Sequence, residues 1–469
     1  MHTTFDVAAI ARIFAQQNQH QHVVRATSST ERLRKLQALR AAVASHVPDL
    51  IAALAKDIGK PAFEAAGEAI AILGEIDLMV DNLDHWMKPV DVSPGPQAAP
   101  GAHARIIREP KGQVLIFGPW NFPFSLLFQP LVGAIAAGNV CIVKPSELTP
   151  QTSALSARLI REVFDEREVA IFEGGASVAA ALLEHPFDHI FFTGSTKVGK
   201  LVMAAAARHL CSLTLELGGK SPVIIDDDVD LAQAARRIAW GKFMNAGQIC
   251  LAPDHVWIKR AQRDAFVDAV SDYVRQSFYP NGVLNAADFG QIVDIRNHER
   301  LTYLIDDAVA RGARIALGGK ACGERRIEPT VLVDVPRTAA IMAEEVFGPI
   351  MPILTYDHLD DVISDVNGRG KPLALYVFSR RQEFIDAVLS RTSSGGATVN
   401  DVIRHAAERN LPFGGVGPSG MGTYHGMYSF LAFTHQRSIY CQAAENPMET
   451  FSHPPYAGKL EVLEKNLLR

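Results

Sequence analysis

Cysteine is scarce in this chain: five occur among 469 residues, Cys141, Cys211, Cys250, Cys322 and Cys441. The count is odd and no two form a CxxC or other close pair, which argues against a disulfide framework and a structural zinc site. Long apolar runs are missing as well. The most apolar stretch, Leu126 to Val143, is broken by Gln129, Pro130 and Asn139, so no segment suits a bilayer. The amino terminus, MHTTFDVAAIARIF, lacks the basic head and apolar stretch of a signal peptide. Neither sign of charge dominates, with 46 Lys and Arg against 51 Asp and Glu, and no basic stripe stands out. Nucleic acid and anionic membrane are therefore poor partners. Internal repeats and low-complexity segments are absent too. What remains is an ordinary soluble composition, 48% hydrophobic and 21% charged, expected in the cytoplasm and long enough for two or three domains.

The opening is helical in pattern. In SSTERLRKLQALRAAVASHV, Leu33, Leu36, Leu39, Val43 and Val47 recur at three- and four-residue spacing. Just before it, His20 and His22 in NQHQH lack a third ligand and read as a solvated polar turn rather than a metal site. The segment KPVDVSPGPQAAPGAHARIIREP breaks the pattern with proline and glycine and reads as a loop or hairpin leaving the main body. Short apolar runs then alternate with helical stretches: QVLIF, VCIV, VAIF, HIFF and SLTLEL, with helices over Gln151 to Phe164 and Val198 to Ala207. Continuous apolar strands between helices predict a parallel sheet covered on both faces, with ligands at its carboxyl edge. A second alternation follows Gly219, through PVIIDD, HVWIK, a helix near Arg263 to Gln276, GARIALGG, EPTVLVDV, PIMPILTY and LALYVFS. The late stretch HQRSIYCQ has strand character and could pair with the proline-rich hairpin.

Cys250, in GKFMNAGQICLAPD, would be an inert core thiol on composition alone. Gly247 and Gln248 before it and Ala252-Pro253 after it predict a sharp bend that exposes the sulfur, a strong nucleophile toward carbonyl carbon. Glu216, in TLELGGKSP, is either a surface carboxylate or a base at a strand end next to a flexible Gly-Gly. Asn121, in FGPWNFPF, either caps a turn or donates to an oxyanion. FFTGSTKVGK combines a strand, a Gly194-to-Gly199 turn and a helix start, a natural pyrophosphate site. KPSE supplies Lys144 and Glu147, suited to ribose hydroxyls or to a solvated loop. Gly415 to Gly420 reads GVGPSG and matches GxGxxG formally, but no convincing strand precedes it, so it is rejected as a dinucleotide fingerprint.

Together these segments resemble the aldehyde dehydrogenase superfamily over essentially the whole chain. The motifs GPWNFPF, KPSELTP, FTGSTKVG, LELGGKSP, NAGQIC, EEVFGP and LPFGGVGPSGMG stand in the family's order. The short amino terminus, FDHIFFTGSTKVGK and the ending SGMGTYHGMYSFLAFTH resemble the class 3 branch of fatty, aromatic and coniferyl aldehyde dehydrogenases. The resemblance implies an α/β fold: a Rossmann-like cofactor domain (1–88 and 114–217), a second α/β catalytic domain (218–427), an oligomerisation hairpin and tail (89–113 and 428–454) and an extension (455–469). It implies Cys250 as nucleophile, Glu216 as the base for hydrolytic water, and Asn121 with the Cys250 N–H as oxyanion hole. It further implies Lys144 and Glu147 near the adenosine ribose, and Gly194, Ser195 and Gly199 at the pyrophosphate. Glu345 and Phe347 would hold the nicotinamide end, with Trp120 and Phe413 near the ring. Loss of an oxyanion donor typically costs about 3–4 kcal/mol, so Asn121 is expected to be sensitive.

The reading is thus an NAD-dependent enzyme, with NADP possible, that oxidises an aliphatic or aromatic aldehyde through a thioester and forms a homodimer without metal. The competing readings are an acylating relative that passes the thioester to coenzyme A, a catalytically silent structural relative, and a bare dinucleotide-binding module. Glu216 speaks against the first; the intact thiol and base speak against the other two.

Overall fold

The structure is a computed structural model that describes residues 7–95, 98–446 and 449–467. The first six residues, on which part of the signal-peptide reading rests, and positions 96–97 of the proline-rich loop lie outside them. Four helices open the chain: α1 (Val7–Arg25), α2 (Ser29–Ser45), α3 (Val47–Ile58) and α4 (Ala62–Trp86). NQHQH belongs to α1 and is not a turn. Ile10, Ile13, Gln17 and Val24 lie buried along α1, so the helix packs on the core and carries its polar end with it. The next helix starts where Ser28 and Glu31 close a reciprocal capping box.

The strands β1 (Val90–Val92) and β2 (His103–Pro110) follow, then β3 (Gln113–Phe117), α5 (Ser125–Ala137), β4 (Val140–Lys144), α6 (Pro150–Val163), β5 (Val169–Ile171), α7 (Ala176–Leu183), β6 (His189–Thr193), α8 (Thr196–Ala207) and β7 (Ser212–Glu216). These apolar runs form strands because every residue of β3 and β4 is buried, as expected for a sheet covered on both faces. In the six-stranded sheet, β7-β6-β3-β4-β5 run parallel, in that order. The chain winds outward from β3 through β4 and β5, then returns to its other side as β6. The crevice between β3 and β6 is therefore a topological switch point, the place where such sheets take ligands.

The second sheet has seven strands: β8 (Pro222–Ile225), β9 (His255–Lys259), β10 (Arg314–Leu317), β11 (Thr330–Val333), β12 (Ile350–Tyr356), β13 (Ala374–Phe378) and β14 (Gly396–Val399). Their order is β10-β11-β12-β9-β8-β13-β14, and only β10 runs antiparallel to its neighbour. The helices α9 (Leu231–Phe243), α10 (Arg263–Phe278) and α11 (Ile295–Ala310) belong to this half. The sequence pattern missed β14, whose residues are part-exposed and glycine-bearing rather than continuously apolar.

Two late strands close the fold. The rejected GVGPSG motif leads into β15 (Gly420–Met421), which pairs antiparallel with β7, Gly420 opposite Glu216. Its glycines serve backbone contact: a Cβ on Gly420 would lie 2.0 Å from the Leu215 carbonyl oxygen. The tail strand β16 (Thr434–Cys441) pairs antiparallel with β2 over its whole length, as the sequence suggested, in the sheet order β1-β2-β16.

Candidate active site

The carboxyl edge of the first sheet faces the amino edge of the second. This follows from one stretch of chain, in which β7 ends at Glu216 and Gly218, Gly219 and Ser221 lead directly into β8. The loop carrying Cys250 precedes β9, and Glu345 to Gly348 precede β12, so both arrive at the same edge. The expected flexibility of Gly218-Gly219 is not what these glycines provide. A Cβ on Gly218 would lie 1.9 Å from Glu345 Oε2, and one on Gly219 would lie 2.9 Å from Pro372 Cα, so both are needed for close packing.

Cys250 follows three consecutive left-handed residues, Asn245 (φ 50°), Ala246 (φ 51°) and Gly247 (φ 74°). Only glycine takes such a conformation at little cost, and a Cβ on Gly247 would also lie 2.2 Å from the Gly348 carbonyl oxygen. Gln248 holds the bend. Its amide donates to the Asn245 and Gln291 carbonyl oxygens at 3.0 and 2.9 Å and accepts from the Val293 N–H at 3.0 Å. Cys250 as a residue is half-buried, and its thiol is strongly desolvated rather than exposed as the bend alone suggested. Burial, then the carboxyls of Glu345 and Glu216, push the thiol up, while the N–H groups of Cys250 and Leu251 pull it down.

Glu216 is buried, and neither of its carboxyl oxygens has a hydrogen-bond partner among the described residues. Desolvation holds its carboxyl well above the ordinary range. An unpartnered buried carboxyl beside a thiol is costly for stability and is the usual mark of a working acid or base. Burial, then the neighbouring Asp254 carboxylate, push Glu345 up to about 8, against a hydrogen bond from the Gly219 N–H. Asn121, also buried, donates from Nδ2 to the Gln248 carbonyl oxygen at 3.0 Å, which sets its amide against the Cys250 loop.

The other residues fall into two groups. Trp120 and Phe347 meet edge to face at 5.3 Å between ring centroids, at the mouth of the β3 crevice. Phe413 packs on Tyr424 and stacks on His425, with centroids 5.6 and 5.0 Å away, so it borders the site through Tyr424. Further along the edge of the first sheet, Lys144 Nζ donates to Glu147 at 2.7 Å. Ser195 caps α8, its Oγ accepting from the Val198 N–H at 3.3 Å. Gly199 is turned inward, where a Cβ would lie 2.7 Å from Leu217 Cδ2. It brings the helix close to the sheet.

A dinucleotide fits these residues. The α8 amino terminus stands at the switch point, the buried Thr193 hydroxyl beside it has no protein partner among the described residues, and Lys144 stands at the end of β4, on the far side of β3.

One residue escaped the sequence reading. Tyr424 is fully buried, and after burial the carboxyl of Glu216 and the thiol of Cys250 push its hydroxyl up, so the three groups sense one another's charge. Its only signal was one aromatic residue in a glycine-rich tail. Among the described residues no group of histidine, cysteine and acidic side chains could hold a metal, and no single helix is long and apolar enough to cross a membrane.

Comparison with known proteins gives the family and the fold. The model of the aldehyde dehydrogenase family matches residues 3–439. The chain is 43% identical over 436 residues to the 4,4'-diaponeurosporen-aldehyde dehydrogenase of Staphylococcus aureus, covering 92% of this chain and 94% of that one. It is 47% identical over 408 residues to aldehyde dehydrogenase family 3 member A2 of Mus musculus, covering 87% and 83%. The solved substrate-bound state of Staphylococcus aureus AldH superposes with a TM-score of 0.92 at 40% identity, covering 97% of this chain and 99% of that one.

Proposed function

The chain belongs to the aldehyde dehydrogenase family, in a branch like class 3 and with NAD(P)-dependent aldehyde oxidation as its reaction, and from that premise we propose how its residues divide the work. The observation that carries the proposal is the buried carboxyl of Glu216, which has no hydrogen-bond partner among the described residues and whose charge acts on the thiol of Cys250. The Cys250 thiolate attacks the aldehyde carbon, and the resulting alkoxide is held by Asn121 Nδ2 and the Cys250 N–H. When bound, NAD(P) supplies the hydride acceptor, and Cys250 is left carrying a thioester. Glu216, once deprotonated, takes a proton from water, which hydrolyses the thioester and frees the acid. Lys144 and Glu147 bind the adenosine ribose; Gly194 and Ser195 take the pyrophosphate on the α8 amino terminus, with Gly199 letting that helix approach. Glu345 and Phe347 orient the nicotinamide end, beside Trp120 and Phe413. The units follow: a cofactor domain of 1–88 and 114–217, a catalytic domain of 218–427 and an extension from 455.

The substrate class we favour is a medium- or long-chain aliphatic or aromatic aldehyde, and one relative is named as the 4,4'-diaponeurosporen-aldehyde dehydrogenase of Staphylococcus aureus. A panel of such aldehydes, run with both cofactors, tests the class and the cofactor together. NAD is expected to give the higher kcat/KM, by several-fold. Lys144 is already paired with Glu147, whose side chain is 46% exposed, so a 2′-phosphate would meet a carboxylate rather than a free ammonium. A clear preference for NADP would overturn the charge argument.

A homodimer is expected through β1, β2 and β16. β16 and β1 form the two edges of this sheet, with Tyr440 exposed on the first and Val90 and Val92 on the second. Unpaired edges with apolar side chains invite pairing, which a symmetric dimer satisfies on both subunits at once. Light scattering after gel filtration, without detergent, should give about twice the 51.0 kDa chain mass; a fully active monomer would defeat the proposal.

A further inference from the structure

Lys60, two residues before α4, and Glu64 and Glu68 in the first turns of that helix are spaced by four, among neighbours that are small or apolar. The side chains of Lys60 and Glu68 are 0% and 1% exposed and form an ion pair. Buried pairs of this kind rarely add stability over apolar residues of the same size, so their presence calls for another reason. Lys60 Nζ also donates to the Asn121 carbonyl oxygen at 2.8 Å and lies 3.9 Å over the Phe122 ring. Glu68 Oε2 accepts from the N–H groups of Phe124 and Ser125, both at 3.0 Å, where α5 begins. The turn from Asn121 to Ser125 is thus gripped at both ends by one pair of charges.

Glu64, half-buried, reaches the other wall. Its Oε2 accepts from the Asn245 N–H at 2.9 Å, at the first of the left-handed residues before Cys250. Asn245 Nδ2 in turn donates to the Asn121 and Gln248 carbonyl oxygens at 3.0 and 3.2 Å. The same helix face therefore holds both segments that would supply oxyanion donors.

We propose that Lys60, Glu64 and Glu68 are positioning residues that fix the separation of Asn121 Nδ2 from the Cys250 N–H, so that both donors meet the alkoxide together. The proposal rests on the roles given above to Cys250 and Asn121. The three side chains act through Asn121 and Asn245, with no substrate contact assigned to them. Oxyanion donors must stand within about half an ångström of their working geometry, so a loosened frame slows acylation. The residues assigned to the ribose and pyrophosphate lie at the ends of β4 and β6, away from this turn, and among those given to the nicotinamide end only Trp120 adjoins it, so dinucleotide affinity should change little.

The test is the pre-steady-state burst of reduced cofactor in the full-length enzyme, where amplitude counts competent sites and rate reports positioning. Lys60→Met, which keeps the length and removes the donor, should slow the burst roughly ten- to a hundredfold, with the dissociation constant for NAD changed by less than about twofold. Glu64→Gln keeps an acceptor for the Asn245 N–H and should stay within about threefold of wild type, whereas Glu64→Met should lose about tenfold or more. A wild-type burst rate in Lys60→Met or Glu64→Met, with only the amplitude reduced, would mean a merely structural role and overturn the proposal. So would a Glu64→Gln rate as low as that of Glu64→Met. If Lys60→Met does not fold, the Glu64 pair decides. An active Cys250→Ala would sink the underlying site assignment, whereas an inactive Cys250→Ala with wild-type rates in these variants would sink this inference alone.

Discussion

Replacing Cys250 with alanine is expected to lower aldehyde oxidation by more than about a thousandfold while leaving dinucleotide binding intact. The thiol makes the covalent bond, and no neighbouring group can take its place. Glu216 is buried at a strand end, and the Tyr424 hydroxyl is held protonated by its surroundings. The residues assigned to the cofactor are anchored elsewhere: Lys144 by Glu147, and Ser195 by the α8 backbone. The check is steady-state NADH formation together with a fluorescence titration of NAD on the same preparation. Retention of more than a few per cent of turnover in pure protein would remove Cys250 from the mechanism. The remaining cysteines should be dispensable: Cys141 is buried in β4, and Cys441 is exposed on β16.

Glu216→Gln should divide the reaction into its halves. The nucleophile and Asn121 remain, so a burst of reduced cofactor is expected at near wild-type amplitude. Steady turnover should then fall by about 10²–10⁴, the usual contribution of a general base. Glutamine fits the space, since neither oxygen of Glu216 has a partner to lose. In the wild type, burial keeps this carboxyl protonated well above its ordinary range, and only the deprotonated form can take a proton from water. Thioester hydrolysis should therefore rise with pH through that raised pKa, and the rise should vanish in Glu216→Gln. Rapid-quench measurement of the acyl-enzyme separates the steps. Wild-type steady turnover would show that another group activates the water. A lost burst in folded protein would mean that Glu216 deprotonates the thiol instead.

Much of this architecture is legible in local pattern. QVLIF, VCIV and HIFF became β3, β4 and β6 because an apolar run of that length, bounded by polar turns, can be buried on both faces only as a strand inside a covered sheet. The bend at Cys250 could be anticipated from Gly247, the residue that meets φ 74° without strain. The NQHQH segment was misread because polarity suggests a turn, whereas the apolar residues flanking it bury one side of α1 and carry the histidines along as helix. GVGPSG could be rejected as a fingerprint from the sequence, but its actual partner, the strand that ends at Glu216, lies some two hundred residues away in the chain.

The sequence by itself determined most of the strands and helices, though not β14 or the NQHQH turn of α1, together with the bend before the thiol and a set of motifs ordered as in one family, because each depends on neighbours within a few positions. Only the tertiary structure decided that Glu216 is left without a partner among the described residues and that its charge reaches the buried Tyr424 hydroxyl. It alone brought Lys60, Glu64 and Glu68 under both walls of the oxyanion site. These facts depend on strand order and on which helix face meets which loop. They are contacts between residues far apart in the chain, set by the joint burial of many side chains, and no local periodicity encodes them.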